Sequence, residues 1–210
     1  MGEVHPLTQA IIDGDKAGAT ALTQQCLDDG EEAGAIIEER LVPGMAVVGE
    51  RFQCDEIFVP EMLISANAMK ASLAILEPLL AESGQKAPHT AVIGTVEGDL
   101  HDIGKNLVGM MWRGANIEVI DLGVNVSPDA FAQAAQEHRP DLVGMSALLT
   151  TTMPNMGKTV ELLRNEGWNG RIMVGGAPVN KEFADAIGAD GFAADAPGAV
   201  ELARRMTGAD

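Results

Sequence analysis

The chain has 210 residues, enough for one large or two small domains with a substantial hydrophobic core. Hydrophobic residues make up 46% of it and charged residues 21%, which excludes a wholly disordered chain. The 14 basic and 31 acidic residues give a net charge of −17, and this charge argues against binding to nucleic acid.

The cysteines and the N-terminus indicate the compartment. Cys26 and Cys54 have neither metal-type spacing nor a C-x-x-C partner, so we expect reduced thiols on helices. Residues 1–5 lack the basic and apolar parts of a signal peptide. No uninterrupted apolar run approaches the roughly 18 residues that span a membrane. We therefore expect a soluble, cytoplasmic protein without a membrane partner.

The first 83 residues have the apolar spacing of helices and no strand-like alternation. The pattern includes Leu7, Ile11 and Ile12, and it predicts a helix break near Pro43-Gly44. Pro60 suits the first turn of the last long helix. The short connections predict an all-α helical bundle over residues 1–83.

Two of the five phenylalanines, Phe52 and Phe58, lie in or beside one connection of this bundle. Either both fill the bundle core, or part of this segment faces a ligand held by the second domain. Periodicity alone leaves both interpretations open.

A polar, Gly- and Pro-containing segment at residues 84–88 predicts a linker, and the second domain covers residues 89–210. Strand and helix patterns alternate there. The predicted strands are 90–96, 117–121, 141–146, 171–174 and 191–193, and the predicted helices are 102–114, one beginning after Ser127-Pro128, 154–166 and 197–206. This alternation predicts a flavodoxin-like, doubly wound parallel sheet of order 2-1-3-4-5.

The most informative stretch follows the first predicted strand. Gly98-Asp99 is a turn signal, and Asp102 can cap a helix that starts at Ile103, so His101 lies on a tight loop at the carboxyl edge of the sheet. Ligands bind at that edge in open α/β sheets. A single loop histidine is by itself most often a solvated polar residue.

Two further strand ends fall beside this loop in the predicted order. Ser146 ends the third strand, and Gly175-Gly176 ends the fourth. Because glycines let a group pass close to the backbone, the three features predict a slot with a histidine at its mouth. The motif is not a phosphate-binding loop, since it lacks both G-x-G-x-x-G and a P-loop Lys-Ser/Thr pair.

These residues resemble a known signature. Asp99-x-His101-x-x-Gly104, followed by Ser146-x-Leu148 and Gly175-Gly176, is similar to the cobalamin-binding motif. Residues 37–45 and 59–66 resemble the helical cap of cobalamin-dependent methionine synthase. The length is that of the stand-alone corrinoid proteins of methylamine, methanol, betaine or methoxyarene methyltransferase systems. The resemblance runs from about Leu7 to Ala203.

The resemblance implies a role for each matching residue. It makes His101 the lower ligand of the cobalt, with Asp99 and Thr152 as its relay, in a base-off/His-on cobalamin (methylcobalamin or a related corrinoid). Thr152 stands where the methionine synthase pattern has serine. The implied cofactor contacts are Gly98, Asp99, Leu100, His101, Asp102, Ile103, Gly104, Ser146, Leu148, Thr150, Gly175 and Gly176, and in the cap Glu38, Phe52, Val59 and Met62.

The implied function is a methyl carrier that cycles between cobalt(I) and methyl-cobalt(III) and is not itself a complete enzyme. Its partners would be a substrate-specific corrinoid methyltransferase, a second methyltransferase acting on a thiol coenzyme or tetrahydrofolate, and a reductive activator. A mutase subunit or a cobalamin-dependent regulator would share the slot. A flavodoxin would share the fold and leave His101 without a role.

Overall fold

The computed structural model describes residues 4–83 and 87–208, so residues 84–86 of the predicted linker lie outside the described residues. The chain divides into two compact units. One comprises the residues up to Pro88 together with Arg113–Asn116, and the other comprises His89–Trp112 and the residues from Ile117 onward. The predicted fold class, a helical region followed by a doubly wound parallel sheet, is confirmed. The domain limits 1–83 and 89–210 stay a prediction.

In the first unit, all regular structure within residues 4–83 is helical. The helices are α1 (Pro6–Ile12), α2 (Lys16–Asp28), α3 (Ala33–Ile36), α4 (Val42–Gln53) and α5 (Val59–Ser83). Asp15 caps α2, since its Oδ1 accepts the Gly18 N–H at 2.9 Å. The core of this unit includes the fully buried Leu7, Ile11, Ile36, Leu41 and Leu76.

The predicted helix break near Pro43-Gly44 is wrong. Residues Ile37–Leu41 form a π-helical turn that joins α3 to α4 without a gap. Pro43 lies in the first turn of α4, directly after this π-helical turn, and the helix continues through the proline. A Cβ at Gly44 would lie 2.9 Å from the Ile11 side chain, so the glycine lets α4 lie close to α1.

The sequence contains no uninterrupted apolar run long enough to span a membrane, and helix α5 departs from the expectation based on that absence. Within the described residues, one helical segment, Val59–Leu80, is long and apolar enough to cross a membrane. Such a span tolerates a few charged residues, whereas the sequence criterion counted uninterrupted apolar runs. A core helix of a bundle meets the same criterion. Buried side chains follow one face of α5, namely Met62, Ser65, Ala66, Met69, Ser72 and Leu76.

The second unit contains a five-stranded parallel sheet. Its strands are β1 (His89–Thr95), β2 (Ile117–Asp121), β3 (Leu142–Ser146), β4 (Arg171–Gly175) and β5 (Gly191–Ala193). Their order is β2-β1-β3-β4-β5, as predicted. The register pairs Thr95 with Ser146 and Ser146 with Gly175, so the ends of β1, β3 and β4 lie side by side.

Alternate strand residues supply two separate cores, as expected for a sheet covered on both faces. Val92 and Val143 belong to the core that contains Phe131 and Met156, whereas Ile93 belongs to the core that contains Trp112. The helices are α6 (Ile103–Gly114), α7 (Pro128–His138), α8 (Pro154–Asn165), α9 (Lys181–Ala186) and α10 (Ala196–Thr207). Helix α9 was not predicted, because it has six residues and its only buried one is Ala184.

Candidate functional site at the carboxyl edge of the sheet

The loop between β1 and α6 carries His101 in a fixed backbone conformation. Gly98 adopts a φ of +82°, a conformation that favours glycine. The hydroxyl of the fully buried Thr95, at the end of β1, donates to the His101 carbonyl at 2.9 Å. The Val96 N–H donates to the Ser146 carbonyl at 3.0 Å, which ties this loop to the end of β3.

Asp99 is the buried centre of this loop and is 0% exposed. Its Oδ1 accepts from the backbone N–H of His101 at 3.1 Å and from the ring Nδ1 of His101 at 2.7 Å. Its Oδ2 accepts from the N–H groups of Leu148 and Leu149 at 2.8 and 3.2 Å, and from the Thr152 hydroxyl at 2.9 Å. Five donors therefore converge on one carboxylate.

These contacts determine the charge of Asp99 and the tautomer of His101. Burial by itself raises the pKa of Asp99, but the hydrogen bonds from Leu148, His101 and Thr152 outweigh it and hold that pKa well below its usual range. An ionised carboxylate only accepts hydrogen bonds, so Nδ1 of His101 carries a proton and donates it. In the neutral ring, Nε2 is then left with a free lone pair, the state that binds a metal.

Thr152, the third residue of the predicted relay, contacts Asp99 through its hydroxyl, and its role in a relay stays a prediction. Besides Asp99, its hydroxyl lies 2.8 Å from the Leu149 carbonyl, and its side chain is buried. A Cβ built on Gly98 would lie 3.4 Å from the Thr152 methyl carbon, so this methyl group lies over the glycine. A threonine is thus accommodated here with its hydroxyl on the carboxylate.

Exposed apolar side chains lie close to His101 in the chain or on the strand end beside it. The imidazole is 52% exposed, and Leu100 and Ile103 on either side of it are 71% and 78% exposed. Leu148 and Leu149, whose N–H groups bind Asp99, are also exposed. Four large apolar side chains thus share one edge with the histidine, an arrangement typical of a surface that binds an apolar ligand.

Other predicted residues of the loop lie at the start of α6. The Asp102 carbonyl accepts the Asn106 N–H at 2.8 Å, and its carboxylate accepts the Asn106 side-chain amide at 3.0 Å. Gly104, in the first turn, has no atom within 4 Å of a built Cβ, so that side of the turn is open.

The glycine pair has a packing reason that the sequence did not reveal. A Cβ at Gly176 would lie 1.9 Å from the Ala147 carbonyl oxygen, and one at Gly175 would lie 2.9 Å from that of Ala193. The glycines therefore let neighbouring backbone segments approach, and they do not leave an open gap. Ser146 is half-buried and Thr150 is exposed on the same edge. That these residues contact a cofactor stays a prediction.

In the helical unit, the four predicted contact residues differ in exposure. Glu38 is exposed on the π-helical turn, and Phe52 and Val59 are half-buried near the ends of α4 and α5. Met62 is fully buried in α5. Phe58 is 65% exposed, so the interpretation that both phenylalanines fill the core is wrong for Phe58.

The fold also assembles a cluster that the sequence did not suggest. Ligand-type atoms of His5, Cys26 and Glu31 lie within 4.8 Å of one another. His5 Nδ1 accepts the Leu7 N–H at 3.2 Å, and Glu31 pairs with Arg40 at 3.4 Å. Burial, and then a hydrogen bond with Glu31, raise the pKa of Cys26 to about 11. Each of these three groups thus already has a partner within the protein. Arg40 supplies the positive charge that a metal ion would otherwise bring to Glu31.

Comparisons with known proteins identify the family. A family model described as a B12 binding domain matches residues 89–203, and a second model of the same description matches residues 4–77. A corrinoid protein of Desulfitobacterium hafniense (strain Y51) is 42% identical over 99% of this chain and 99% of its own length. The chain belongs to the family of B12-binding corrinoid proteins.

Two further proteins similar to this chain are a trimethylamine corrinoid protein and a chain of a methyltransferase complex. Trimethylamine corrinoid protein 2 of Methanosarcina acetivorans is 40% identical over 91% of this chain and 90% of its own length. The methanol:cobalamin methyltransferase complex of Methanosarcina barkeri contains a chain with 28% identity and a TM-score of 0.88, matched over 99% of this chain and 80% of that chain. The predicted cofactor class, cobalamin or a related corrinoid, is confirmed.

The residues at the sheet edge fit such a cofactor. A neutral imidazole with a free Nε2 is a good ligand for a transition metal, and its Nδ1–H is held by a carboxylate, as is usual for metal-bound histidines. The exposed leucines and isoleucine offer apolar surface for a flat macrocycle. His101 would hold the metal, and Asp99 would fix the ring that holds it.

Proposed function

We propose that this corrinoid protein carries methyl groups between two methyltransferases and binds its cobalamin base-off, with His101 as the lower axial ligand. The observation that supports this most directly is the half-exposed His101 ring, whose Nδ1 lies 2.7 Å from Asp99 Oδ1. When bound, the corrinoid supplies the methyl-transfer chemistry by cycling between cobalt(I) and methyl-cobalt(III).

The chain's own residues control the state of His101. With the histidine bound to the metal, the ionised Asp99 would accept the Nδ1–H and orient the ring. With the histidine free, the same carboxylate would still hold the ring through Nδ1. Because five donors already occupy Asp99, the proton stays on His101 and does not move to the carboxylate.

In the helical unit, we propose that Glu38, Phe52 and Val59 contact the cofactor, since their side chains are at least partly exposed. Met62 fits this role less well, because it is fully buried. The exposed Glu38 lies on a π-helical turn, a feature that is frequent at functional sites.

The relatives support a methyltransferase as a partner. The similar chain in the methanol:cobalamin complex is found with a methyltransferase, and another relative is a trimethylamine corrinoid protein. We propose three partners: a substrate-specific methyltransferase, a second methyltransferase acting on a thiol coenzyme or tetrahydrofolate, and a reductive activator that rescues oxidised cobalt.

The axial ligand is tested by electron paramagnetic resonance of the cobalt(II) form. We reconstitute the full chain with hydroxocobalamin, reduce it, and compare unlabelled protein with protein carrying ¹⁵N-histidine. If a histidine is the ligand, the label changes the nitrogen hyperfine pattern. His101→Ala should abolish that change, whereas the exposed-histidine control His138→Ala should keep it. If the label still changes the pattern in His101→Ala, a histidine other than His101 binds the cobalt.

The carrier role is tested by loading the protein with a labelled methyl group. Incubation with the methyltransferases encoded nearest to its gene should move the label to a thiol coenzyme or to tetrahydrofolate. No transfer with any of these enzymes, from protein with a normal histidine-ligated spectrum, would overturn the carrier role and leave the binding role intact.

A further inference from the structure

The loop between β2 and α7 is hydrogen-bonded to the loop that carries His101 through the residue Asn125. Its backbone N–H donates to the Asp99 carbonyl at 3.0 Å, and its side-chain Oδ1 accepts the Gly98 N–H at 2.7 Å. The side chain and the backbone of Asn125 thus bind the peptide group before Gly98 and the peptide group after Asp99.

The identity of this residue has a physical reason. Asn125 has a φ of +55°, in the left-handed region that few residues other than glycine adopt easily. Asparagine and aspartate tolerate this region and carry an acceptor on a short side chain. Glycine would keep the backbone conformation and lose the acceptor, and aspartate would keep both.

The loop that carries Asn125 is itself firmly attached. The Thr95 N–H donates to the Gly123 carbonyl at 2.9 Å, and the Val126 N–H donates to the Thr95 carbonyl at 2.9 Å. Both bonds are to the residue whose hydroxyl holds the His101 carbonyl.

An ion pair between the buried Lys105 and the exposed Asp121 adds to this attachment. Lys105, on α6 and 3% exposed, lies 2.6 Å from both carboxylate oxygens of Asp121. Asp121 Oδ1 also accepts the Gly123 N–H at 2.9 Å. The helix that follows His101 and the loop that carries Asn125 therefore share one anchor.

We propose that Asn125 is a positioning residue that aims the Asp99–His101 pair at the corrin metal. This inference rests on the proposed histidine ligation. Asn125 is exposed, so its loss is compensated by water as far as folding is concerned. Its effect should fall on the orientation of Gly98 and Asp99 and through them on His101.

The first test needs no cofactor. Amide hydrogen exchange of the apoprotein is measured at Gly98 in the wild type, Asn125→Gly and Asn125→Asp. The glycine variant should speed exchange at Gly98 by roughly 3- to 10-fold, the worth of one net hydrogen bond, and the aspartate variant should restore protection. Asn116→Gly is the control, because Asn116 has a similar φ of +60° but lies at the other end of α6.

The second test uses the reconstituted protein and the ¹⁵N-histidine hyperfine signal. In Asn125→Gly the equilibrium constant for histidine ligation should fall roughly 3- to 10-fold, less than the 10- to 100-fold expected for a direct partner of the ligand. Asn125→Asp and Asn116→Gly should match the wild type. If the wild type lacks the histidine signal, the proposed ligation fails. If it has the signal and Asn125→Gly keeps full ligation, Asn125 does not position the pair.

Discussion

The two units organise their predicted functional residues in different ways. In the sheet unit, residues from the loop after β1 and from the segment after β3 converge on a single buried carboxylate, Asp99. In the helical unit, the predicted contacts range from the exposed Glu38 to the fully buried Met62. Strand ends in a parallel sheet meet at one edge, so a loop motif there predicts a location. An apolar stripe along a helix does not predict a location in this way, because the packing of the helices decides which of its residues are covered.

The largest effect that tests this contrast is expected at Met62. Met62→Ala should lower the free energy of unfolding by about 2–5 kcal/mol, the usual cost of truncating a buried core side chain. Phe58→Ala is the control and should have little effect, because Phe58 is 65% exposed. Denaturant unfolding of the apoprotein measures both. A near-zero cost for Met62→Ala would mean that its side chain is not part of the core.

Burial raises the pKa of Cys26 to about 11, so near pH 8 its thiolate fraction is roughly 100-fold lower than that of an ordinary thiol, and its reactivity should fall at least as far. A thiol-specific dye should label the exposed Cys54 quickly and the buried Cys26 only after unfolding. Cys54→Ser should remove the fast phase. Two fast phases would contradict the burial of Cys26.

The raised pKa of Cys26 also predicts that the stability of the folded protein depends on pH. The folded state holds the Cys26 proton more tightly than the unfolded chain does, so its contribution is complete below about pH 8.5 and is lost as the pH rises toward about 11. Cys26→Ala should remove that part of the alkaline loss of stability, as measured by denaturant unfolding at several pH values.

In the sheet unit, Asp99→Asn should weaken histidine ligation or methyl transfer roughly 10- to 100-fold, the usual range for a group that holds a metal-bound histidine. The amide would also place a donor against donors from Leu148, Leu149 and Thr152. Asp129→Asn, an exposed change of the same charge on α7, serves as the control. Equal ligation in both variants would leave Asp99 as a purely structural residue.

The lowered pKa of Asp99 predicts that the folded protein loses stability in acid. The folded pKa of this carboxyl lies below the unfolded value of about 3.9, so its contribution is present above that pH and is lost as the pH falls through the folded pKa. Unfolding of apo Asp99→Asn should therefore show a shallower decline below about pH 4 than unfolding of the wild type.

The smallest effect is expected at Thr152. Thr152→Ala should weaken ligation by only a few fold, roughly the worth of one hydrogen bond, because four other donors remain on Asp99. Thr152→Ser keeps the hydroxyl and should behave like the wild type. Thr151→Ala, an exposed neighbour, is the control. If Thr152→Ala weakened histidine ligation as much as Asp99→Asn does, the hydroxyl would have a larger role than the geometry indicates.

Local residue chemistry was enough to predict most of the fold. The β-branched apolar runs and their turn residues predicted the five strands and their order, and the confirmed sheet places His101, Ser146 and Gly175 on adjacent strand ends. The π-helical turn at residues 37–41 and helix α9 were missed, because neither produces a distinct periodic pattern over so few residues.

The sequence by itself determined the fold class, the order of the strands and the motif that contains Asp99 and His101, since turn residues and periodicity act over a few neighbours. Only the tertiary structure decided what surrounds these residues: the five donors on Asp99, the hold of Asn125 on Gly98, and the backbone oxygens against Gly175 and Gly176. Many of these contacts join residues 27 to 53 positions apart. Contacts at that separation depend on how the whole sheet packs, and no local pattern records them.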